Sequence, residues 1–361
     1  MRRVSQALTI IILAAAILSP AVAGAQAILP PGPKVSLHVV AHPIPTHPQW
    51  TRIDVPYYKE IIPQRSGGRI EIKGATWPEM NIGGPEIIRM TRGGQIEIGG
   101  APLTYMAGDI PILDAADLAG LNPTVEQARK VVNALTPIVN KEIERFGVRM
   151  IATYPYPAQV FFCRKPVKDL ADLKGRKIRT FGTSLNDLVT ALGGVPVSIA
   201  FAEVYGALER GVADCGITGT GSGNAAKWFE VTSHMFTLPV GWSLGGYYVN
   251  LAWWNKLDPA VRKFLDDVYK EIEDKHWQLG GVEMTQDGID CNLAKPSCKI
   301  GVLAKERPMV EVKPTDADRA LLKKVLAENV LPAWIKRCGA KCADTYNQTL
   351  APITGVTYTP R

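Results

Sequence analysis

The sequence predicts an α/β protein built as two lobes. Its 361 residues leave about 335 once an N-terminal leader is set aside, more than one hydrophobic core usually serves. Strand-like alternation and helix-like periodicity follow one another along most of the chain. One helical pattern, from Asp258 to about Met284, runs for about 26 residues. At 1.5 Å per residue that is roughly 40 Å, enough to span both lobes rather than sit in one.

The elements follow in order. Residues 27 to 33 are Pro-rich and read as a loose leader. Val35 to Val40 alternate apolar and polar, as a strand does. Trp50 to Ile62 reads as a helix that Pro56 should end or kink. Ser66-Gly67-Gly68 is a turn, and Arg69 to Lys73 a second strand. Pro85 to Arg92 is a short helix stopped by Gly93-Gly94, and Ile96 to Ile98 a third strand. Pro123 to Phe146 is a long amphipathic helix, and Arg149 to Thr153 a strand. A second lobe is expected from about Tyr156. It takes strands at Gln159 to Cys163, Lys177 to Thr180, Val197 to Ala200 and Asp214 to Thr218. Its helices are a single turn at Asp169 to Leu173, then Ser184 to Leu192 with a Ser N-cap, then Phe201 to Arg210. Tyr247 to Leu251 is another strand. Asp258-Pro259 opens the long helix with an Asp N-cap and Pro at the first helical position, and Gly280-Gly281 is its weak point. A last helix runs from Thr315 to Lys336. The expected division is lobe I at 34–155 plus 247–285 and lobe II at 156–246 plus 286–361.

The N-terminus points to export. Arg2 and Arg3 precede an apolar run from Ala7 to Leu18, then Ser19-Pro20 and the small residues Ala21 to Ala25. This order predicts a secretory signal peptide over residues 1–25, cleaved after Ala25 or alternatively Ala23. The apolar run falls short of the roughly 20 residues a membrane span needs. The Arg pair also admits twin-arginine export, although a lone pair favours the general secretory route. The protein is therefore expected in the periplasm. Its formal charge of +7 drops to about +5 without Arg2 and Arg3. Basic residues are not clustered with aromatics, which argues against nucleic acid as a partner. A mild positive excess suits an anionic ligand without locating its site.

Six cysteines in an exported chain favour disulfides over free thiols. Cys291 and Cys298 are spaced for a small local bridge, as are Cys338 and Cys342. Cys163 and Cys215 would then pair across the fold. Six cysteines allow fifteen pairings, so this set is a choice among them. His38, His42, His47, His234 and His276 show no ligand-like spacing with the cysteines, and neither a metal nor a cofactor is expected.

The segment from Lys165 to Asp214 carries the most information. It holds Lys165-Pro166-Val167, Asp169-Leu170-Ala171-Asp172-Leu173-Lys174-Gly175 and Lys177-Ile178-Arg179. Ala191-Leu192-Gly193-Gly194-Val195-Pro196-Val197 follows, then Ala202-Glu203-Val204-Tyr205-Gly206-Ala207-Leu208 and Gly211-Val212-Ala213-Asp214. In order and spacing this resembles the solute-binding subunits of TRAP (tripartite ATP-independent periplasmic) transporters, DctP type. Gly94-Gln95-Ile96-Glu97-Ile98 and Trp253-Trp254-Asn255-Lys256-Leu257 extend the resemblance over nearly the whole mature chain. It implies a periplasmic solute-binding fold: a mixed sheet in each lobe, a ligand cleft between them, and a long helix spanning both. It also implies an integral-membrane TRAP permease as partner.

The resemblance implies that Arg179 grips a ligand carboxylate, which its planar fork meets with two parallel hydrogen bonds. Two positions depart from the family pattern. Gln159 stands where many members place a second Arg, and Thr218 where an Asn is usual. Both are neutral hydrogen-bonding groups. The expected ligand is thus a small organic acid held by one ionic anchor with neutral helpers. Cys163 and Cys215 lie near these departures in sequence, and a bridge between them is expected to stiffen the cleft floor. Phe201 matches a family position that packs on ligand. Trp242 and Tyr247 are expected as a cleft wall, with Tyr105 and His42 facing the cleft from lobe I. No Gly-x-Ser-x-Gly elbow, His-Glu-x-x-His pair or phosphate loop occurs, so catalysis is not expected. A periplasmic enzyme or a ligand-presenting sensor module on the same scaffold is the alternative.

Overall fold

A computed structural model describes residues 29–360. The expected signal peptide and its cleavage site lie outside these residues.

Along the chain come β1 (Val35–Val40), α1 (Ile62–Arg65), β2 (Ile70–Ala75), α2 (Glu86–Arg92), β3 (Ile98–Pro102), α3 (Val125–Ile143) and β4 (Val148–Tyr154). There follow β5 (Gln159–Cys163), β6 (Lys177–Thr180), α4 (Thr183–Ala191), β7 (Val195–Ser198), α5 (Val204–Glu209), β8 (Cys215–Gly219), α6 (Thr220–Ala225) and β9 (His234–Phe236). The chain then runs through β10 (Gly245–Asn250), α7 (Leu251–Lys256), α8 (Pro259–His276) and α9 (Met284–Asn292). It ends with β11 (Val310–Val312), α10 (Asp316–Val325), α11 (Leu331–Cys338), α12 (Ala340–Thr345) and α13 (Ala351–Thr354).

The strands form two mixed sheets, one per lobe. The first has the order β2-β1-β3-β10-β4. Within it β1 pairs in parallel with β2 and β3, while β10 runs antiparallel to β3 and β4. The second has the order β11-β9-β5-β8-β6-β7, with β5 antiparallel to β8 and β9. The chain passes from sheet to sheet between β4 and β5, and returns between β9 and β10. These two crossings are stitched to each other. Tyr156 N donates to Trp242 O (2.9 Å), Gln159 N to Gly241 O (2.8 Å) and Val240 N to Gln159 O (2.9 Å).

A third crossing is helical. From α8 through the wide-turned segment Trp277–Glu283 into α9, the helix is unbroken from Pro259 to Asn292. Its first part packs on β4 and its last part on α6. Gly280 and Gly281 do not weaken it; they let it pass close to other parts of the chain. A Cβ on Gly280 would lie 2.6 Å from Pro155 O, and one on Gly281 would lie 2.5 Å from Val125 Cγ2. Pro56 likewise fails to stop the first helix. It sits at φ −58°, ψ −42°, within the helical range, between the π turns Trp50–Asp54 and Tyr57–Ile61 that run into α1. Wider turns absorb the N–H that Pro cannot supply.

The third strand of the sequence begins two residues later than expected, and β7 two residues earlier. The long last helix is divided by the π turn Leu326–Val330 before Pro332. The π turn packs on α4, α11 on the 3-10 segment Pro111–Asp117, and the following segment 346–354 on α3. This C-terminal stretch joins the two halves like a strap.

All three expected disulfides are present: Cys163–Cys215, Cys291–Cys298 and Cys338–Cys342. Cys163 faces Cys215 directly across the β5–β8 ladder. No helix among the described residues is long and apolar enough to cross a membrane.

Candidate ligand-binding cleft

Arg179 belongs to β6, which lies in the second sheet between the buried strand β8 and the edge strand β7. It is 1 % exposed. Nε donates to Ile199 O and Nη1 to Ile217 O, both at 2.9 Å. Its guanidinium carbon lies 5.1 Å from the Phe181 ring centre, 5.8 Å from Trp228 and 5.9 Å from Phe201. The rings and carbonyls replace water and lock one rotamer. Among the described residues no carboxylate pairs with this cation, and Nη2 has no hydrogen-bond partner. Burial holds its pKa down to about 10, eased only by the nearby Tyr105. The group thus remains charged at neutral pH, desolvated and without a counter-ion.

It opens onto a cavity between the lobes of about 360 Å³, mouth included. The second lobe contributes Gln159, Phe181, Phe201, Thr218 and Ser222; the first contributes Pro43, Trp77, Pro102 and Tyr105. Tyr156 and Ser243, from the crossings, complete the wall. Gln159 starts β5 and its side-chain Nε2 donates to Pro157 O (2.8 Å). Its carbonyl oxygen has no partner among the described residues, so it is the end that faces outward as an acceptor. Thr218 pairs opposite Val160 at the same end of the ladder. Trp77 and Tyr105 pack at 5.9 Å, and the Trp77 indole is fixed by donating to Gly100 O (3.0 Å).

Five sequence-predicted residues thus meet at one cavity: Arg179, Gln159, Thr218, Phe201 and Tyr105. Three do not. Trp242 is spent on the crossing between β9 and β10, where its indole donates to Asn122 O (3.0 Å) and its backbone N to Asp117 (2.9 Å). Tyr247 and His42 are fully buried one layer behind the wall. There Tyr247 Oη donates to Asp54 (2.7 Å), and His42 Nε2 lies 2.7 Å from the same carboxylate. Alternation explains Tyr247: its side chain leaves β10 toward the helices. His42 has a left-handed backbone, φ 65°, which turns its ring inward. The Cys163–Cys215 bridge also sits elsewhere than expected. It closes the far end of the β5–β8 ladder, four residues or about 13 Å from Gln159. It fixes the strand pair but does not form the cleft floor.

Trp77, Tyr156, Phe181, Ser222 and Ser243 were not singled out from sequence. Phe181 follows directly on the Lys177-Ile178-Arg179 strand, and this adjacency was the one available signal. The others reach the cavity through turns that no local pattern announces. Ser243, for instance, has a left-handed backbone, φ 46°.

Contacts across the cleft hold the lobes together. Asp114, on the 3-10 segment Pro111–Asp117, accepts from Thr104 (2.7 Å) and from Thr183 at the start of α4 (2.5 Å). His47 Nε2 meets Ser222 Oγ at 3.1 Å.

The comparisons with known proteins agree with this architecture. Solved structures with the same fold include a Bordetella pertussis extracytoplasmic solute receptor binding pyroglutamic acid, with TM-score 0.75 and 20% identity. That alignment covers 89% of this chain and 99% of the receptor. A TRAP periplasmic solute-binding protein from Desulfovibrio salexigens with bound orotic acid has TM-score 0.77 and 20% identity, over 89% of this chain and 100% of that one. Among curated proteins, the 2,3-diketo-L-gulonate-binding periplasmic protein YiaO of Escherichia coli is 26% identical over 212 residues, 58% of this chain and 64% of YiaO. A solute-binding protein of Albidiferax ferrireducens is 25% identical over 50% of this chain and 51% of its own length. The chain thus spans between half and two thirds of these curated relatives. Proteins of this kind are solute receptors of transporters, not enzymes. The family model for bacterial extracellular solute-binding protein, family 7, matches residues 44–304, and the chain belongs to this DctP family.

Proposed function

We propose that the protein captures a small organic acid between its lobes, with one carboxylate on Arg179, and delivers it to the membrane subunits of a TRAP transporter. The observation that carries this reading is the buried Arg179 guanidinium, which faces the cleft without a carboxylate partner among the described residues. Two of its five N–H donors are spent on carbonyls, which leaves Nη2 and the second Nη1 hydrogen as a two-point face for a carboxylate. A desolvated cation of this kind is costly until an anion meets it. The other polar groups are neutral, and Gln159 offers an acceptor. The ligand is therefore an anion with a single anchored carboxylate and a hydrogen-bond donor elsewhere. Trp77, Tyr105, Phe181 and Phe201 suit a compact apolar or ring-shaped body. The pyroglutamic and orotic acids bound by the structural relatives have these features.

The two bodies are 34–155 with 247–285 and 156–246 with 286–361, and the crossings near 155 and 247 act as hinges. The closed form is what the permease recognises. The mature chain is expected in the periplasm. Thermal-shift screening against a library of carboxylic acids, followed by calorimetry on the tightest hit, tests the proposal. Arg179→Ala is expected to weaken that hit by at least about 100-fold, since charge-assisted bonds in a dry site are strong. Unchanged affinity would overturn the anchor, and absence of any binding acid would overturn the substrate class.

A further inference from the structure

Behind the cleft wall, four elements of the first lobe converge on one carboxylate. Asp54, in the π-turned helix, is fully buried and has no Lys or Arg partner among the described residues. His42 Nε2 lies 2.7 Å from its Oδ2, and His276 Nε2, at the end of α8, lies 3.2 Å from its Oδ1. Tyr247 Oη, from β10, is 2.7 Å from Oδ1, 3.2 Å from His276 Nε2 and 3.5 Å from His42 Nε2. The donor atoms of His42, Asp54 and His276 all lie within 4.8 Å of one another.

We propose that His42, Asp54 and His276 form a binding site for one divalent transition-metal ion, Zn2+ by preference, with Tyr247 Oη or a water at the fourth corner. Zinc bonds of about 2.0–2.1 Å to N and O place tetrahedral ligands about 3.3 Å apart. About Asp54 Oδ1, the edges to His276 and Tyr247 and from Tyr247 to each imidazole run from 2.7 to 3.5 Å, and the ligand atoms of His42, Asp54 and His276 lie within 4.8 Å of one another, so small side-chain shifts would close the shell. Two imidazoles and a carboxylate are the ligand set of borderline ions rather than of Ca2+ or Mg2+. The carboxylate supplies the negative charge that a buried cation needs.

Each ligating imidazole also needs an acceptor for its other nitrogen. His42 Nδ1 faces Tyr156 Oη at 3.5 Å. His276 Nδ1 faces the Gln49 amide at 2.8 Å, and Gln49 Oε1 is buried without a partner. Turning this amide over brings Oε1 to His276 Nδ1 at the cost of the bond to Pro155 O, and the side chain must also swing away from that carbonyl. Both imidazoles now direct Nε2–H at Asp54; on metal binding those protons move to Nδ1, where the two acceptors stand. The His42 backbone, left-handed at φ 65°, is held in this unusual state by Trp77 N donating to His42 O (3.0 Å). Tyr156 separates the cluster from the cleft and packs edge-on to His42 at 6.0 Å, so the ion loads when the lobes open.

The test uses the tag-free mature chain, stripped with chelator and titrated separately with Zn2+ by calorimetry and with Co2+ by visible absorption. One equivalent of Zn2+, and the strong bands of four-coordinate Co2+, are expected. Asp54→Asn or His276→Gln should abolish binding, and Gln49→Ala, which removes no ligand, should weaken it about 10- to 100-fold. Wild type that takes up no stoichiometric ion overturns the proposal. So does an ion whose affinity Gln49→Ala and His276→Gln leave unchanged, since it then sits elsewhere. Where Asp54→Asn fails to fold, the wild-type titration and Gln49→Ala decide between these outcomes.

Discussion

Arg179, the proposed anchor, is a side chain held still before any ligand arrives. Its Nε and Nη1 are tied to Ile199 O and Ile217 O, and three rings enclose it, so no rotamer entropy is left to lose when a ligand arrives. Lysine has the charge but not the fork. An ammonium there would reach one carbonyl at best and lose stronger hydration on burial. Arg179→Lys is therefore expected to lower affinity for the acid by about 10- to 100-fold while keeping the charge, and calorimetry on the folded variant measures it. Retention of full affinity would mean that charge alone holds the ligand. This residue stood out in the sequence because it lies in a short strand inside a run of collinear motifs. Gln159 and Thr218 were legible for the same reason. His42 and Tyr247 were placed in the right lobe, but which way they point depends on a left-handed turn and on strand register, and neither shows in residue type. Trp242 was misread because a tryptophan near a cleft can equally brace a crossing.

At the scale of elements, the crossings between sheets have their own electrostatics. Asp117 ends a 3-10 segment and its carboxylate receives the backbone N–H groups of Trp242 (2.9 Å) and Leu244 (3.4 Å). Burial lifts its pKa from 3.8 to about 6, and the hydrogen bonds draw it back only in part. The folded-state value lies above the unfolded one. Between about pH 4 and pH 6 the native protein therefore holds a proton that the unfolded chain releases. This group's penalty is complete above about pH 6 and gone below about pH 4. Asp117→Asn removes the ionisation while retaining an acceptor oxygen. Relative to wild type, the variant is expected to gain about 2 kcal/mol on going from about pH 4.5 to pH 8. Urea midpoints of both proteins at the two pH values give the difference, and parallel pH profiles would show that folding does not raise the Asp117 pKa. The elements themselves were mostly legible: nearly every strand and the N-cap of the long helix follow from pattern and capping. The π turns at Pro56 and Gly280 were not, because a residue that breaks an isolated helix is tolerated where packing needs a wide turn or a close approach.

For the whole molecule, the proposed capture makes affinity depend on the balance between open and closed lobes. In the proposed capture the ligand is clamped only while the second lobe stays against the first, so contacts made only on closure add to binding without touching ligand. Asp114 is such a contact. It sits on the first lobe, Thr104 beside it supplies one hydrogen bond, and Thr183 across the cleft supplies the other at 2.5 Å. Burial raises the Asp114 carboxyl above its ordinary value, so the cost of closing over it is offset by those two hydroxyls. Thr183→Val keeps the shape and leaves one carboxylate oxygen without its donor when the lobes close. In the open form water satisfies that oxygen, so the loss of about 1–3 kcal/mol falls on closure alone. Affinity for the acid is expected to drop about 5- to 150-fold. Because the ligand's own contacts are intact, the change should appear as faster release rather than slower capture. Stopped-flow binding separates the two rates. X-ray scattering should show the radius of gyration shrinking on ligand addition in both proteins, but at higher ligand concentration in the variant. A variant that releases ligand at the wild-type rate would show that Thr183 takes no part in holding the lobes closed.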